Sequence, residues 1–200
     1  MQRSWQKWWS VCCTAVLWFA SAAQAGLIPV NVSVHPDSGN YRWTYGVIVT
    51  TDVSVNPGDS FTIYDVYGLI SGSAVMPANW SVSEAMTTPP HPGTLPFDDP
   101  TVPNVTFTYN GLTPIMGQAG LGNFSIISMY NDVAVGDFTS SAHRQVDGRV
   151  EYNITTTDVP APPDNPDGGV HQTPEPSTLA LFGVGLPLAA VARRWRRRLA

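Results

Sequence analysis

The chain has 200 residues, of which 43% are hydrophobic and 12% charged, with a formal net charge of -5 at pH 7. That length bounds one domain with tails. The charge is spread unevenly: residues 26–172 hold three arginines against fourteen acids, a balance of -11, which excludes nucleic acid and anionic lipid as partners of this region and leaves cations, neutral glycans and proteins open.

At the N-terminus, Arg3 and Lys7 form a positive segment, and Val11 to Ala22 is an apolar stretch broken only by Cys12, Cys13, Thr14 and Ser21. Ala23-Gln24-Ala25 then puts small residues at the two positions a signal peptidase pocket requires, so a signal helix over residues 1–25 is expected, cut between Ala25 and Gly26. The run is too short to span a membrane comfortably as a permanent anchor. Both cysteines fall inside it, so the exported chain has neither a disulfide nor a thiol nucleophile. Cys12 and Cys13 lie at the front of the apolar run and not after it, which rules out a lipoprotein site.

Residues 26–158 read as one extracellular domain, long enough for a sizeable core. Period-two alternation marks its strands: Pro29 to Val34, Tyr41 to Val47, Phe61 to Tyr64, Val105 to Tyr109, Phe124 to Met129 and Val150 to Ile154. Asn56-Pro57-Gly58-Asp59 and Asn110-Gly111 are turn formers between them. No stretch has a helical period, and the prolines of Thr87 to Pro103 mark a long surface loop. The expectation is an all-β fold, an antiparallel β-sandwich of immunoglobulin-like packing. Strand parity places Trp43, Tyr45, Val47, Phe61, Ile63, Phe107, Phe124, Ile126 and Ile154 in its core.

The motifs of enzymes are scarce. There is no Gly-x-Ser-x-Gly elbow, no His-Glu-x-x-His and no phosphate-binding glycine loop, and His35, His91, His143 and His171 stand far apart. A non-enzymatic protein without an obligatory cofactor is expected. Calcium is the one metal with candidates: Asp98 and Asp99 in the proline-rich loop, and Asp132 and Asp137 flanking an expected turn, although the spaced acid loop that holds calcium in helix-loop-helix proteins is missing. The same aspartates are also candidates for a glycosidase acid and base, with no carboxyl separation readable from sequence. Tyr41, Trp43, Tyr45, Tyr64, Tyr67 and Trp80 offer either a sugar-stacking platform, with Trp80 foremost, or core aromatics.

Residues 159–172 form an extended linker of proline, aspartate and glycine. In residues 173–200, Pro174-Glu175-Pro176 precedes the apolar stretch Leu179 to Ala192, and Arg193, Arg194, Arg196, Arg197 and Arg198 follow as a stop-transfer cluster that stays cytoplasmic. Fourteen apolar residues make a helix of about 21 Å against a hydrocarbon core of about 30 Å. Gly183, Gly185 and Pro187 weaken it further, so this short transmembrane helix suits transient retention and removal, as with a GPI signal.

Pro174-Glu175-Pro176, the short glycine-containing apolar segment and the arginine cluster together resemble the PEP-CTERM sorting domain. The resemblance implies a Gram-negative, exopolysaccharide-producing host. The partners it implies are signal peptidase, an exosortase and, transiently, the inner membrane, with extracellular polysaccharide as a further partner at the cell surface. The blocks Tyr41 to Tyr45, Asn56 to Asp65 and Pro103 to Tyr109 are also similar to the N-terminal domains of some PEP-CTERM proteins, which implies no particular activity. The expected role is that of a structural or adhesive component of the surface or biofilm matrix, with a carbohydrate-binding module as the alternative and a hydrolase as the third reading.

Overall fold

The computed structural model describes residues 26–163. The expected signal helix with its cleavage residues Ala23 and Ala25, the expected linker beyond Pro163, and the tail with its expected short transmembrane helix lie outside the described residues. Ten strands and no helix make up the fold: β1 (Leu27–Asp37), β2 (Asn40–Val49), β3 (Val53–Val55), β4 (Ser60–Ile63), β5 (Trp80–Ala85), β6 (Asn104–Tyr109), β7 (Ile115–Met116), β8 (Gly120–Ser128), β9 (Asp132–Arg144) and β10 (Val150–Ala161). Accordingly, no helix among the described residues is long and apolar enough to cross a membrane.

All pairings are antiparallel, and they form two sheets. The small sheet has the order β1-β2-β8, with single bridges from Leu69 and Val75 to the far side of β8. In the large sheet β10 occupies one side of β9 along its length, so β4 and β3 must share the other. β3 and β4 thus lie end to end, separated by Asn56-Pro57-Gly58-Asp59. Gly58 adopts a φ of 96°, which a side chain would resist, and the Asp59 amide closes the turn on the Asn56 carbonyl at 2.9 Å. β7 and β6 repeat the arrangement beside them, and β5 forms the outer edge.

The core lies between the sheets and is aromatic at its centre. Phe61 stacks on Phe138 with centroids 5.3 Å apart, tilts against Phe107 at 5.1 Å, and meets Phe124 of the small sheet edge-on at 4.8 Å. Such offset and edge contacts suit the ring quadrupoles and contribute beyond the area they bury. Trp43, Tyr45, Val47, Ile63 and Ile126 are also fully enclosed.

Three expectations need correction. Ile154 is only half-buried: the apolar residues of β10 (Val150, Tyr152, Ile154) sit on the outer face, and Asn153 and Thr157 point inward. The Asn153 amide donates to the Leu27 carbonyl at 3.4 Å, and a Cβ on Gly26 would lie 2.9 Å from that of Asn153, so a glycine fits at this seam. Secondly, no turn separates Asp132 from Asp137. β9 runs through both, because Ala134, Gly136 and Phe138 alternate onto the core face and neighbours on both sides satisfy its backbone. Thirdly, β10 continues to Ala161, so that Val159, Pro160 and Ala161 belong to the sheet and are buried, although their composition reads as linker.

Candidate functional site

The chain between β5 and β6 crosses the outer face of the large sheet. Pro89, Pro90, Pro92, Pro96, Pro100 and Pro103 remove backbone donors, so a ladder cannot form here. The amides that remain are bound by side chains instead. Phe97 N–H donates to Asp137 at 2.6 Å, Asp99 N–H to Asp65 at 2.9 Å and Thr88 N–H to Asp98 at 3.0 Å. Asn104 ties the assembly together: its amide nitrogen donates to Asp98 at 2.8 Å and its carbonyl oxygen accepts from the Asp65 N–H at 2.9 Å. At the far end of the loop the His91 ring stacks on Tyr152 of β10, centroids 5.1 Å apart and 15° from parallel.

Loop folding therefore brings Asp98, Asp99 and Asp137 of the calcium candidates into one neighbourhood, but each also serves as an acceptor: Asp99 takes the N–H and hydroxyl of Thr101 at 2.9 and 2.8 Å. Asp132 does not join them. It is exposed at the start of β9, five positions from Asp137, about 17 Å along an extended strand. Among the described residues no group of three or more His, Cys, Asp or Glu side chains could hold a metal ion.

Asp65 is the acid that sequence reasoning passed over. Its side chain is only 2% exposed and its backbone is left-handed, with a φ of 55°. Burial pushes its carboxyl up to about 7, opposed by the Asp99 N–H and assisted by the charges of Asp98, Asp99 and Asp137. Burial, with the charges of Asp98, Asp137 and Asp65 as smaller causes, raises the neighbouring Tyr64 hydroxyl against the Thr139 hydrogen bond. The only hint in the sequence is an acid directly after a strand, at Tyr64-Asp65, which pattern alone does not distinguish from a solvated turn.

A second pairing joins residues 84 positions apart. The His143 ring nitrogen Nδ1 lies 2.9 Å from Asp59 Oδ2, and that oxygen also accepts the Asn56 N–H at 2.7 Å. Asp59 is nearly enclosed and its charge also reaches His91, whose proton affinity is lowered, chiefly by burial. Such a pair can hold a proton, yet Ser141, two residues before His143, is engaged with the backbone of Ser60 instead. Among the described residues no hydroxyl is hydrogen-bonded to the His143 ring, so the pair lacks an activated nucleophile.

The aromatics divide clearly. Trp43, Tyr45 and Tyr64 are buried, and Trp80, the foremost platform candidate, is 9% exposed and packs 5.0 Å from Phe124 and 5.3 Å from Tyr109. Tyr41 and Tyr67 are half-buried, so these six rings form no common stacking surface. His35 is exposed, and His171 lies outside the described residues.

No curated protein matches the chain. Residues 172–198 match the family described as PEP-CTERM protein-sorting motif, a segment that contains Pro174, Glu175, Pro176 and the arginines at 193, 194, 196, 197 and 198. The motif implies export, sorting by an exosortase and processing at the membrane. The chain thus carries a PEP-CTERM sorting motif at residues 172–198, and its described residues form an all-β domain.

Proposed function

We propose that this protein is a structural or adhesive component of the outer surface or of the exopolysaccharide matrix, delivered there by its sorting tail. The tail motif is the observation that carries the reading. Signal peptidase frees the domain at Gly26, the arginine cluster holds the tail in the inner membrane, and the exosortase acts on the exposed side. Three properties of the domain support a non-catalytic role. It contains no cysteine and hence no thiol nucleophile, its net charge is strongly negative, and its His143–Asp59 pair has no nucleophile attached.

The strand order supports an immunoglobulin-like assignment. β1-β2-β8 occupies the positions of strands A, B and E in one sheet, and β4-β9-β10 those of C, F and G in the other. The hairpin of β5 and β6 is then an addition beside C. Sandwiches of this kind serve as spacers and adhesive modules on many surfaces, which agrees with the role but does not select a ligand. Carbohydrate binding is the second reading, favoured by an uncharged hydroxyl-bearing face on the added hairpin.

The test is fractionation of cells making either the natural protein or a variant with Pro174, Glu175 and Pro176 all changed to alanine. The natural protein is expected in the outer-surface and matrix fraction and the variant in the inner membrane. Equal distribution of the two would overturn the proposal.

A further inference from the structure

Beyond the tail, the hairpin of β5 and β6, with the adjoining β4, presents an outer face of hydroxyl side chains. Register aligns its side chains in two rows, Ser81–Thr108–Ser60 and Ser83–Thr106–Thr62. Neighbours within a row are about 4.8 Å apart, and the rows are separated by about 6.7 Å, two residues along a strand. We infer that this hydroxyl face docks a neutral polysaccharide chain. The inference rests on the matrix role proposed above and names the surface through which the domain would serve it.

Charge selects the occupant. None of the six side chains is ionisable, although the surrounding domain is strongly acidic and Asp98 and Asp99 stand in the adjoining loop. A polyanion would be repelled by that field. A cationic partner would settle on the aspartates instead of this face. An uncharged polymer of hydroxyls meets neither cost, and each of its hydroxyls both donates and accepts, as serine and threonine do.

The rows are also prepared for it. Thr62 is enclosed at the inner end of the second row, and its hydroxyl lies 2.8 Å from that of Thr106, which fixes Thr106 from the side. Asn110 donates to Ser81 at 2.7 Å and fixes the first. Ser83 and Thr108 make no side-chain hydrogen bond among the described residues, and both reach solvent. Branching at Cβ restricts the threonine rotamers, so little side-chain entropy is lost on binding. The opposite face of the same strands is locked into the core through Phe61 and Phe107, which holds the grid in place.

The test is electrophoresis of the protein recovered from the cell surface through native gels containing dextran, galactomannan or alginate. The natural protein is expected to be retarded by at least one of the two neutral polymers and not by alginate. Thr108→Val should weaken the retardation about tenfold in apparent Kd, as loss of a ligand hydrogen bond does, and Ser83→Asp should abolish it. Thermal midpoints equal to that of the natural protein show that both variants fold. Retardation by neither neutral polymer, retardation by alginate, or variants retarded as strongly as the natural protein would overturn the inference. Should it fail while the protein still fractionates with the matrix, the matrix role stands and only this face is wrong; absence from the outer surface would sink the role itself.

Discussion

In β6, Val105, Phe107 and Tyr109 point into the core while Thr106 and Thr108 face outward; in β10, Val150, Tyr152 and Ile154 face outward while Asn153 points in. The two segments show the same alternation in the sequence. They differ in what covers each face. β6 is central and lies between β4 and β5; its outer face is covered by the loop only at Asn104 and reaches solvent at Thr106 and Thr108, so the core must receive its large residues. β10 is an edge, its inner side meets the narrow seam with β1, and the proline-rich loop shelters its outer side through the His91–Tyr152 stack. Alternation therefore announces that a strand has two different faces, while its neighbours decide which one is the inside.

That contrast makes quantitative predictions. The largest effect belongs to the central layer: Phe61→Ala or Phe107→Ala removes a ring from a packed aromatic cluster and should cost about 3 to 5 kcal/mol in denaturant unfolding. An unmoved midpoint would show that this layer does not hold the sheets together.

Under the loop the effect is smaller and depends on pH. The Asp65 carboxyl is pushed up to about 7 in the folded protein, against about 3.9 for an unfolded chain, so between these values the native state holds the extra proton. Its contribution is therefore most favourable below about pH 4 and is lost as pH rises to 7. Asp65→Asn keeps the acceptor for the Asp99 N–H and removes the buried charge. The variant should be more stable than the natural protein by about 2 kcal/mol at pH 8, with the difference vanishing toward pH 4 in parallel melting curves. A variant that is less stable at pH 8 would mean the carboxylate is needed ionised.

Smaller still is the outer face of β10. His91→Ala should cost about 1 kcal/mol by loss of the stack on Tyr152, and amide exchange should quicken in the loop while the core strands keep their protection. Ile154→Thr should change stability by less than about 0.5 kcal/mol, because the side chain is not enclosed and threonine suits a strand. A loss as large as that of Phe107→Ala would restore Ile154 to the core and reverse the facing of β10.

Much of the central architecture was legible in the residues. Tyr41 to Val47, Phe61 to Tyr64, Val105 to Tyr109 and Phe124 to Met129 fall on strands but for the last residues, Tyr64 and Met129, since large apolar residues at every second position leave few other ways to be buried. β9 was hidden because its core face is built from Ala134, Gly136 and Ala142 as well as Phe138. Small residues there let neighbours approach: a Cβ on Gly136 would meet Val159 at 2.6 Å. β3 and β7 are too short to show a period, and β5 carries Glu84 on its inward parity, held at the sheet edge by Ser71 and Gly72. The acids of the loop were visible as residues, whereas their work was not. Asp65 follows the end of β4 and Asp137 lies within β9, distant in sequence, and only the folded path of the prolines makes them acceptors for the loop amides. The sorting tail was readable without a structure because its parts are contiguous and its physics lies in order and length alone.

The account turns on the removal of that tail, and intact-mass analysis of the protein recovered from the outer surface tests it most directly. The predicted species begins at Gly26 and ends near Glu175 to Ser177, with or without an added group. A chain still ending at Ala200 and recovered from the inner membrane would contradict the account and make the tail a plain anchor.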